Sequence, residues 1–500
     1  MFLFNSMISL SFAPRRQQIK KFKKNPAKVQ TKVLKELINT ASQTEWGRLY
    51  NYSDIKTEEE FKAKVPISSY EDLWPYIERM QKGEENILWP GKINKFAKSS
   101  GTTSAKSKFI PVSRESLQKC HYRGGKDIVQ LYKTNHRNSR LFLGKTLSLG
   151  GTQQKNEKDI YCGDLSAILM SNLPLWAQLH RTPNLETALM GEWEEKIEKI
   201  IDESLNKNIT CLAGVPSWML VLLKRLLEKT GKKNILEVWP NLELFIHGGI
   251  SFEPYREQFK KLIPSEKMNY FEVYNASEGF FALNEKPRDD DMLLMLDYGI
   301  YYEFISMDEF GNDNARVLNL DEVELGKNYA VLISTNGGLW RYLIGDTVIF
   351  TSVAPFKIKV SGRTKHYINA FGEELMVGNT DKAIEMTCAS TKASVREYTA
   401  APVFMDDDKK GCHQWLIEFN QEPDNFERFC ELLDKNLQSL NSDYESKRYK
   451  SITLDSPDVT KVRTNLFYDW LKEKNKLGGQ HKVPRLSNSR EYIEELLKLI

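Results

Sequence analysis

Leu242-Glu243-Leu244-Phe245-Ile246-His247-Gly248-Gly249 and Tyr270-Phe271-Glu272-Val273-Tyr274-Asn275-Ala276-Ser277-Glu278-Gly279 decide the fold class of this chain. Each begins as a short apolar run and stops in small, flexible residues, the pattern of a buried strand feeding a loop. Amphipathic helical patterns precede them over residues 193–205 and 217–229. The second pattern follows Val215-Pro216, with Ser217 as the candidate cap. Strands separated by helices predict an α/β fold: a large N-terminal region of mixed and parallel sheets flanked by helices.

Downstream the character changes. Strand-like runs at residues 298–305, 329–334, 339–344 and 347–351 lie close together, and Asn336-Gly337-Gly338 between two of them is a hairpin signal. A small antiparallel sheet or barrel is expected there. After Gly362-Arg363-Thr364-Lys365 the pattern is helical at 374–386, strand-like at 414–419 and helical at 425–441. This predicts two domains, residues 1–364 and a smaller α+β domain at 365–500.

Composition narrows the function. The 500 residues hold 71 Lys and Arg against 67 Asp and Glu, a net charge of +4 that is too mild to imply nucleic acid. The local excess, Arg15-Arg16 with Lys20, Lys21, Lys23 and Lys24, is expected as a solvated helix face, with membrane-surface contact as the alternative. Residues 1–13 are apolar but lack a leading positive charge and are too short to span a bilayer. They are read as a helix docked on a soluble, cytoplasmic protein with no transmembrane segment. The six cysteines form no close pair and the seven histidines are scattered, so neither a disulfide framework nor a zinc site is indicated.

Four loops carry candidate chemistry. Ser99-Ser100-Gly101-Thr102-Thr103-Ser104-Ala105-Lys106-Ser107-Lys108 is rich in hydroxyl, N–H and ammonium donors, which suits a polyphosphate, although a polar surface hairpin has the same composition. Gly248-Gly249 permits a flat ligand to lie on bare backbone, or is a simple turn. Tyr274 to Gly279 offers an aromatic face and one carboxylate, Glu278, which could equally cap a following helix. Trp340-Arg341-Tyr342-Leu343-Ile344-Gly345-Asp346 ends in an acid beside glycine, a ribose-diol acceptor or a turn former. In an open α/β sheet, loops at the strand ends form the ligand crevice.

Together these motifs resemble the adenylate-forming superfamily, and more closely the auxin-responsive Gretchen Hagen family of acyl-acid amido synthetases, in its bacterial-type members. Ser-Ser-Gly-Thr-Thr at 99–103, Tyr-Asn-Ala-Ser-Glu-Gly at 274–279, Trp-Arg-Tyr-Leu-Ile-Gly-Asp at 340–346 and Lys-Val-Pro-Arg at 482–485 carry the resemblance, which spans nearly the whole chain. It implies ATP and Mg²⁺ as cofactors, and a small carboxylic acid and an amino acid as substrates. The acid attacks the α-phosphate of ATP, releasing pyrophosphate, and an amine then takes the acyl group and expels AMP.

Position by position, the resemblance implies that Ser99, Ser100, Thr102, Thr103 and Lys108 form the phosphate loop. Ala105 stands there where plant members commonly carry a second glycine. Gly248 and Gly249 then flank the base. Ser277 and Glu278 reach the α-phosphate and Mg²⁺, with Glu278 as metal ligand. Tyr274 lies beside adenine, Asp346 binds ribose and Arg363 sits at the hinge within reach of it. Lys482 is the mobile catalytic lysine. The acyl pocket is expected around Leu173, Leu175, Trp176, Val215 and Trp218, residues equally plausible as core. His247 is the nearest histidine to serve as a base, and is read as structural. A ligase passing the acyl group to coenzyme A or a carrier thiol, and a non-catalytic nucleotide-binding protein, remain as alternatives.

Overall fold

The computed structural model describes residues 13–99, 108–136, 138–156, 158–250, 252, 255–286, 289–312, 314–364, 367–405, 410–449, 453–473 and 483–500. Ser100, Thr102, Thr103 and Lys482, and all but the last residue of the expected N-terminal docked helix, lie outside them.

One twelve-stranded sheet organises the chain up to Arg363. Its first part is parallel: Arg181–Thr182, Lys145–Ser148, Ile209–Ala213, Leu244–Gly248 and Asn269–Ala276 lie side by side in that order. The register runs from Leu244 opposite Asn269 to Gly248 opposite Val273. At Asn269–Ala276 the sheet changes hand of pairing. Gly279–Leu283 returns antiparallel through a two-residue turn, Ser277-Glu278. Met292–Leu294, Phe356–Arg363, Tyr342–Val353, Asn328–Thr335, Ile300–Ser306 and Val317–Leu318 continue antiparallel to the far edge. The antiparallel strands expected from sequence are thus hydrogen-bonded onto the parallel ones. Nearly every residue of Ile300–Ser306 and Asn328–Thr335 is buried, as in strands covered on both faces.

Three local details depart from the sequence expectation. The runs at 339–344 and 347–351 merge into one strand, Tyr342–Val353, because Gly345 at φ +95° absorbs a register shift. The helix Pro216–Thr230 takes Pro216 as its first residue, where a missing N–H costs nothing. Val215 therefore occupies the cap position, and Ser217 lies in the first turn with its hydroxyl donating to the Phe371 carbonyl at 3.4 Å. The helix expected at 374–386 starts at Val377 and runs to Thr391, since Gly372 (φ +90°) and Glu374 (φ +36°) keep the preceding segment out of helical geometry.

The basic N-terminal cluster is only partly a solvated face. Arg15 bridges Asp127 and Asp297, and Lys23 pairs with Glu285 at 2.5 Å, while Ile19 and Phe22 are buried. The apolar spacing of this helix, Ala13–Lys24, docks it on the main core and draws two of its cations in.

Beyond the large sheet, Lys108–Pro111, Lys95–Ser99, Tyr161–Gly163 and Gln153–Lys155 form a four-stranded sheet. The C-terminal part contains Ser394–Val403, Cys412–Gln421 and Asp458–Val462. The helices Val377–Thr391 and Phe426–Leu440 pack together and contribute to the second core, while Leu466–Glu473 and Glu491–Leu497 share a core with Ala401, Leu416 and Val462. Residues 483–487 lie along this sheet: Ala400 N–H donates to the Arg485 carbonyl at 2.9 Å and the Thr399 hydroxyl to that of Pro484 at 2.6 Å. The residues that follow Lys482 are therefore anchored. Trp415 and Tyr398 of this unit share a core with Leu220 and Leu223 of the Pro216–Thr230 helix. Among the described residues no helix is long and apolar enough to cross a membrane.

Candidate active site

The change from parallel to antiparallel pairing brings the ends of several strands together, and the titratable groups collect there. Asp346 and Arg363 are cross-strand partners on adjacent strands, so their side chains meet on one face. Arg363 Nε lies 2.9 Å from Asp346 Oδ1, and the Tyr274 hydroxyl donates to Asp346 Oδ2 at 2.5 Å. Asp346 is thus held inside a strand, with both oxygens engaged, and is no turn former. Burial, and then the charge of Asp346, keep the Tyr274 phenol protonated well above its usual range.

Arg363 extends the cluster. Its Nη2 donates to Glu374 Oε1 at 2.6 Å. Burial opposes its charge, but Glu374 and Asp346 more than compensate and hold it cationic. Arg363 Nη1 and Glu374 Oε2 are both buried without a hydrogen-bond partner among the described residues. Burial pushes the Glu374 carboxyl up to about 7 against the pull of Arg363.

Lys108 closes the other side. It is 7% exposed, and its Nζ donates to the Tyr342 hydroxyl at 3.2 Å while lying 5.5 Å from the Tyr70 ring centroid. Tyr70 itself accepts from the Phe109 N–H at 2.8 Å, fixing the strand that carries Lys108. Burial lowers the Lys108 pKa and Glu278 raises it in return. Glu278 occupies the Ser277-Glu278 hairpin turn, not the start of a helix. Burial raises its pKa, Lys108 opposes that, and Asp346 adds to it. Ser99 pairs with Lys108 where the strands Lys95–Ser99 and Lys108–Pro111 lie antiparallel.

The glycine pair is divided in role. A side chain on Gly248 would come 2.2 Å from the Val273 carbonyl oxygen, so the neighbouring strand already demands glycine there. Gly249, at φ +84°, makes the turn beyond the strand. His247 is stacked on Phe252 at 4.2 Å, and burial drives its pKa down to about 3. It stays neutral, as a core residue does.

The expected acyl pocket divides likewise. Leu175 is 80% exposed, whereas Val215 and Trp218 are half-buried beside the site. Trp193 meets Trp218 edge-on at 4.0 Å, and Lys447 Nζ lies 4.0 Å from the Trp218 ring centroid. Gly372 stands against both: a side chain there would meet Lys447 Cε at 3.1 Å and Trp218 Nε1 at 3.8 Å. Sequence reasoning missed Tyr70, Tyr342, Trp193, Glu374 and Lys447. Tyr342 was inside a recognised motif, but the other four are joined to the site only by long-range packing.

The donor set fits a magnesium–nucleotide. It provides a buried cation, an arginine N–H with no partner among the described residues, a carboxylate tied through both oxygens and a second carboxylate in a tight turn.

Models described as the GH3 family N-terminal, central and C-terminal domains match residues 15–268, 293–363 and 378–491. The chain is similar to the indole-3-acetic acid-amido synthetase GH3.3 of Arabidopsis thaliana, 24% identical over 561 residues that cover 96% of this chain and 92% of that one. It is also similar to the 4-substituted benzoates-glutamate ligase GH3.12 of the same plant, 23% identical with 96% of each chain covered. Among solved structures, the GH3.15 acyl acid amido synthetase in complex with 2,4-DB superposes with a TM-score of 0.62 at 17% identity, covering 96% of this chain and 95% of that one. A 2-hydroxyisobutyryl-CoA ligase with 2-HIB-AMP and CoA gives 0.56 at 13% identity, covering 94% and 91%. Those two likenesses concern the fold.

Proposed function

The chain belongs to the GH3 family, and from that premise we propose that it is an ATP-dependent acyl-acid amido synthetase. The observation that carries the reading is the linked set Tyr274–Asp346–Arg363, with Lys108 and Glu278 in the same charged cluster. It offers acceptors for a ribose diol and cations for phosphate.

In the first half-reaction a carboxylate oxygen of the acid attacks the α-phosphorus, and pyrophosphate leaves with the electron pair of the broken P–O bond. In the second an amine, probed first as an amino acid, attacks the acyl carbonyl carbon and AMP departs. Asp346 accepts from the ribose hydroxyls, Tyr274 lies beside the base and Arg363 offers its Nη1 to the nucleotide. Lys108, with the hydroxyls of Ser99, Ser100, Thr102 and Thr103, surrounds the phosphates, and Ser277 adds a hydroxyl at the turn. Glu278 would hold a Mg²⁺ ion, which when bound supplies charge neutralisation at the phosphates. Such chemistry needs positioning and charge stabilisation more than a nucleophile. The protein works in the cytoplasm, where ATP is supplied and its six free thiols persist.

We assign the adenylation unit to residues 1–364 and the mobile unit to 365–500, pivoting after Arg363. Lys482 belongs to the second and meets charge developing at the α-phosphate. Lys482→Ala is expected to lower acid-dependent ATP–pyrophosphate exchange about 10²–10³-fold. ATP affinity by equilibrium dialysis should stay within a small factor. Unchanged exchange would remove Lys482 from the mechanism.

The reading is tested by pyrophosphate release from Mg-ATP across aryl, indolyl and aliphatic acids, with amino acids or coenzyme A as acceptors and products identified by mass. An amide product supports it. A thioester formed only with coenzyme A converts the assignment to an acyl-CoA ligase, and ATP binding without release for any acid points to a protein that no longer turns over.

A further inference from the structure

An amino acid reaches the site as an ammonium ion, which has no lone pair to offer the acyl carbonyl. The amide-forming step therefore needs a group that takes a proton. His247 is neutral and stacked in the core. Asp346 is tied through its two oxygens to Arg363 and Tyr274, and its remaining lone pairs are those given to the ribose hydroxyls. Glu373 is fully buried and consumed by the His413 ring at 2.7 Å and by the N–H groups of Ala370 and Phe371.

Glu374 differs from all three. Its Oε1 is fixed by Arg363, and its Oε2 is buried with no partner among the described residues. Its backbone is held at φ +36°, a conformation that costs free energy in a non-glycine residue. Hydrogen bonds on both sides impose it: Glu374 N–H donates to Asn369 Oδ1 at 3.3 Å, and the Glu374 carbonyl accepts from Asn441 Nδ2 at 3.1 Å. The same segment binds the large N-terminal unit through the Tyr255 hydroxyl on the Ala370 carbonyl at 2.5 Å. A side chain added at Gly372, two residues before Glu374, would come 3.8 Å from Trp218 Nε1. Glu374 thus joins the nucleotide cluster through Arg363, on a segment whose Gly372 lies near Trp218.

Resting on the synthetase reading, we propose that Glu374 receives the amine and acts as its proton acceptor. One proton moves from the ammonium to Oε2. The freed nitrogen lone pair then forms the C–N bond, the carbonyl carbon–oxygen bond to phosphate breaks, and AMP leaves with that electron pair. The second nitrogen proton goes to water. The charged and titratable groups around Glu374 are Arg363, Asp346, Glu278, Lys108, Tyr367 and, from the helix Ser442–Arg448, Asp443. The carboxylates among them attract an ammonium. A carboxyl held near 7 is matched to proton transfer at neutral pH.

The test compares Glu374→Gln with wild type, using the acid found by pyrophosphate release. The amine is glycine or hydroxylamine, and hydroxylamine is already unprotonated at neutral pH. We expect amide formation with glycine to fall about 10²-fold. Hydroxamate formation and pyrophosphate exchange should fall by much smaller factors, with partial rescue of the glycine reaction by Glu374→Asp. Equal losses with both amines would make Glu374 a structural tie to Arg363, and an unchanged glycine rate would also overturn the proposal. If wild type adenylates no acid, the synthetase reading fails by itself. Infrared difference spectra of wild type minus Glu374→Gln, with AMP bound, then decide: a Glu374 carboxyl band that shifts on adding glycine supports the amine site, and a band that does not shift overturns it.

Discussion

Glu278→Gln is expected to abolish most acid-dependent pyrophosphate release, by about 10²–10³-fold, without loss of fold. Glutamine has the shape of glutamate and fits the same turn. Burial already raises the Glu278 pKa, so removing its charge relieves a desolvation cost and leaves thermal stability equal or higher. What disappears is the anionic ligand of the hairpin turn, and with it the neutralisation of phosphate charge. Release at saturating Mg²⁺ and a thermal melt give the two readouts. Full release by a well-folded Gln variant would remove Glu278 from the phosphate end of the site, and a large fall in melting temperature would make its role structural.

Arg341→Ala is expected to cost about 3–5 kcal/mol in folding stability, the range for breaking a buried ion pair from one side. Arg341 is 4% exposed and pairs with Glu303, which is fully buried, at 2.9 Å. Its Nη1 also donates to the carbonyls of Lys62 and Val65 at 3.0 and 2.7 Å. The alanine variant leaves the Glu303 carboxylate and two carbonyls without donors in the core, at a backbone position already strained at φ +41°. Denaturant titration measures the loss. Arg341→Met combined with Glu303→Leu should be milder than either charge removed alone, because no uncompensated charge then remains. A single-variant cost below about 1 kcal/mol would mean that water reaches the pair.

These residues show how far the sequence was legible. Strand–turn patterns at 242–249 and 270–279 correctly announced the parallel sheet, because a buried strand that ends in glycines leaves a local signature. The motif at 340–346 was recognisable as a unit, yet its parts do different work. Trp340 packs on Trp89 and Tyr52, Arg341 binds Glu303, Tyr342 receives Lys108 and Asp346 meets Arg363. No spacing rule separates those roles, since each depends on a partner far away in the chain. Glu278 was visible as the one carboxylate of its loop, but the hairpin turn that holds it depends on the return strand Gly279–Leu283. Glu374 was hidden for the same reason. Its helical-looking surroundings are broken by Gly372, and its orientation is set by Asn369, Asn441 and Arg363.

The most direct test of the central claim is isotopic. The acid that elicits pyrophosphate release is supplied with both carboxylate oxygens labelled as ¹⁸O, and the AMP produced is weighed by mass spectrometry. Attack of the acid on the α-phosphorus predicts that one labelled oxygen ends on AMP and the other stays in the acyl product. Unlabelled AMP, with both heavy oxygens retained in the organic product or washed out to water, would contradict an acyl-adenylate and with it the account of this site.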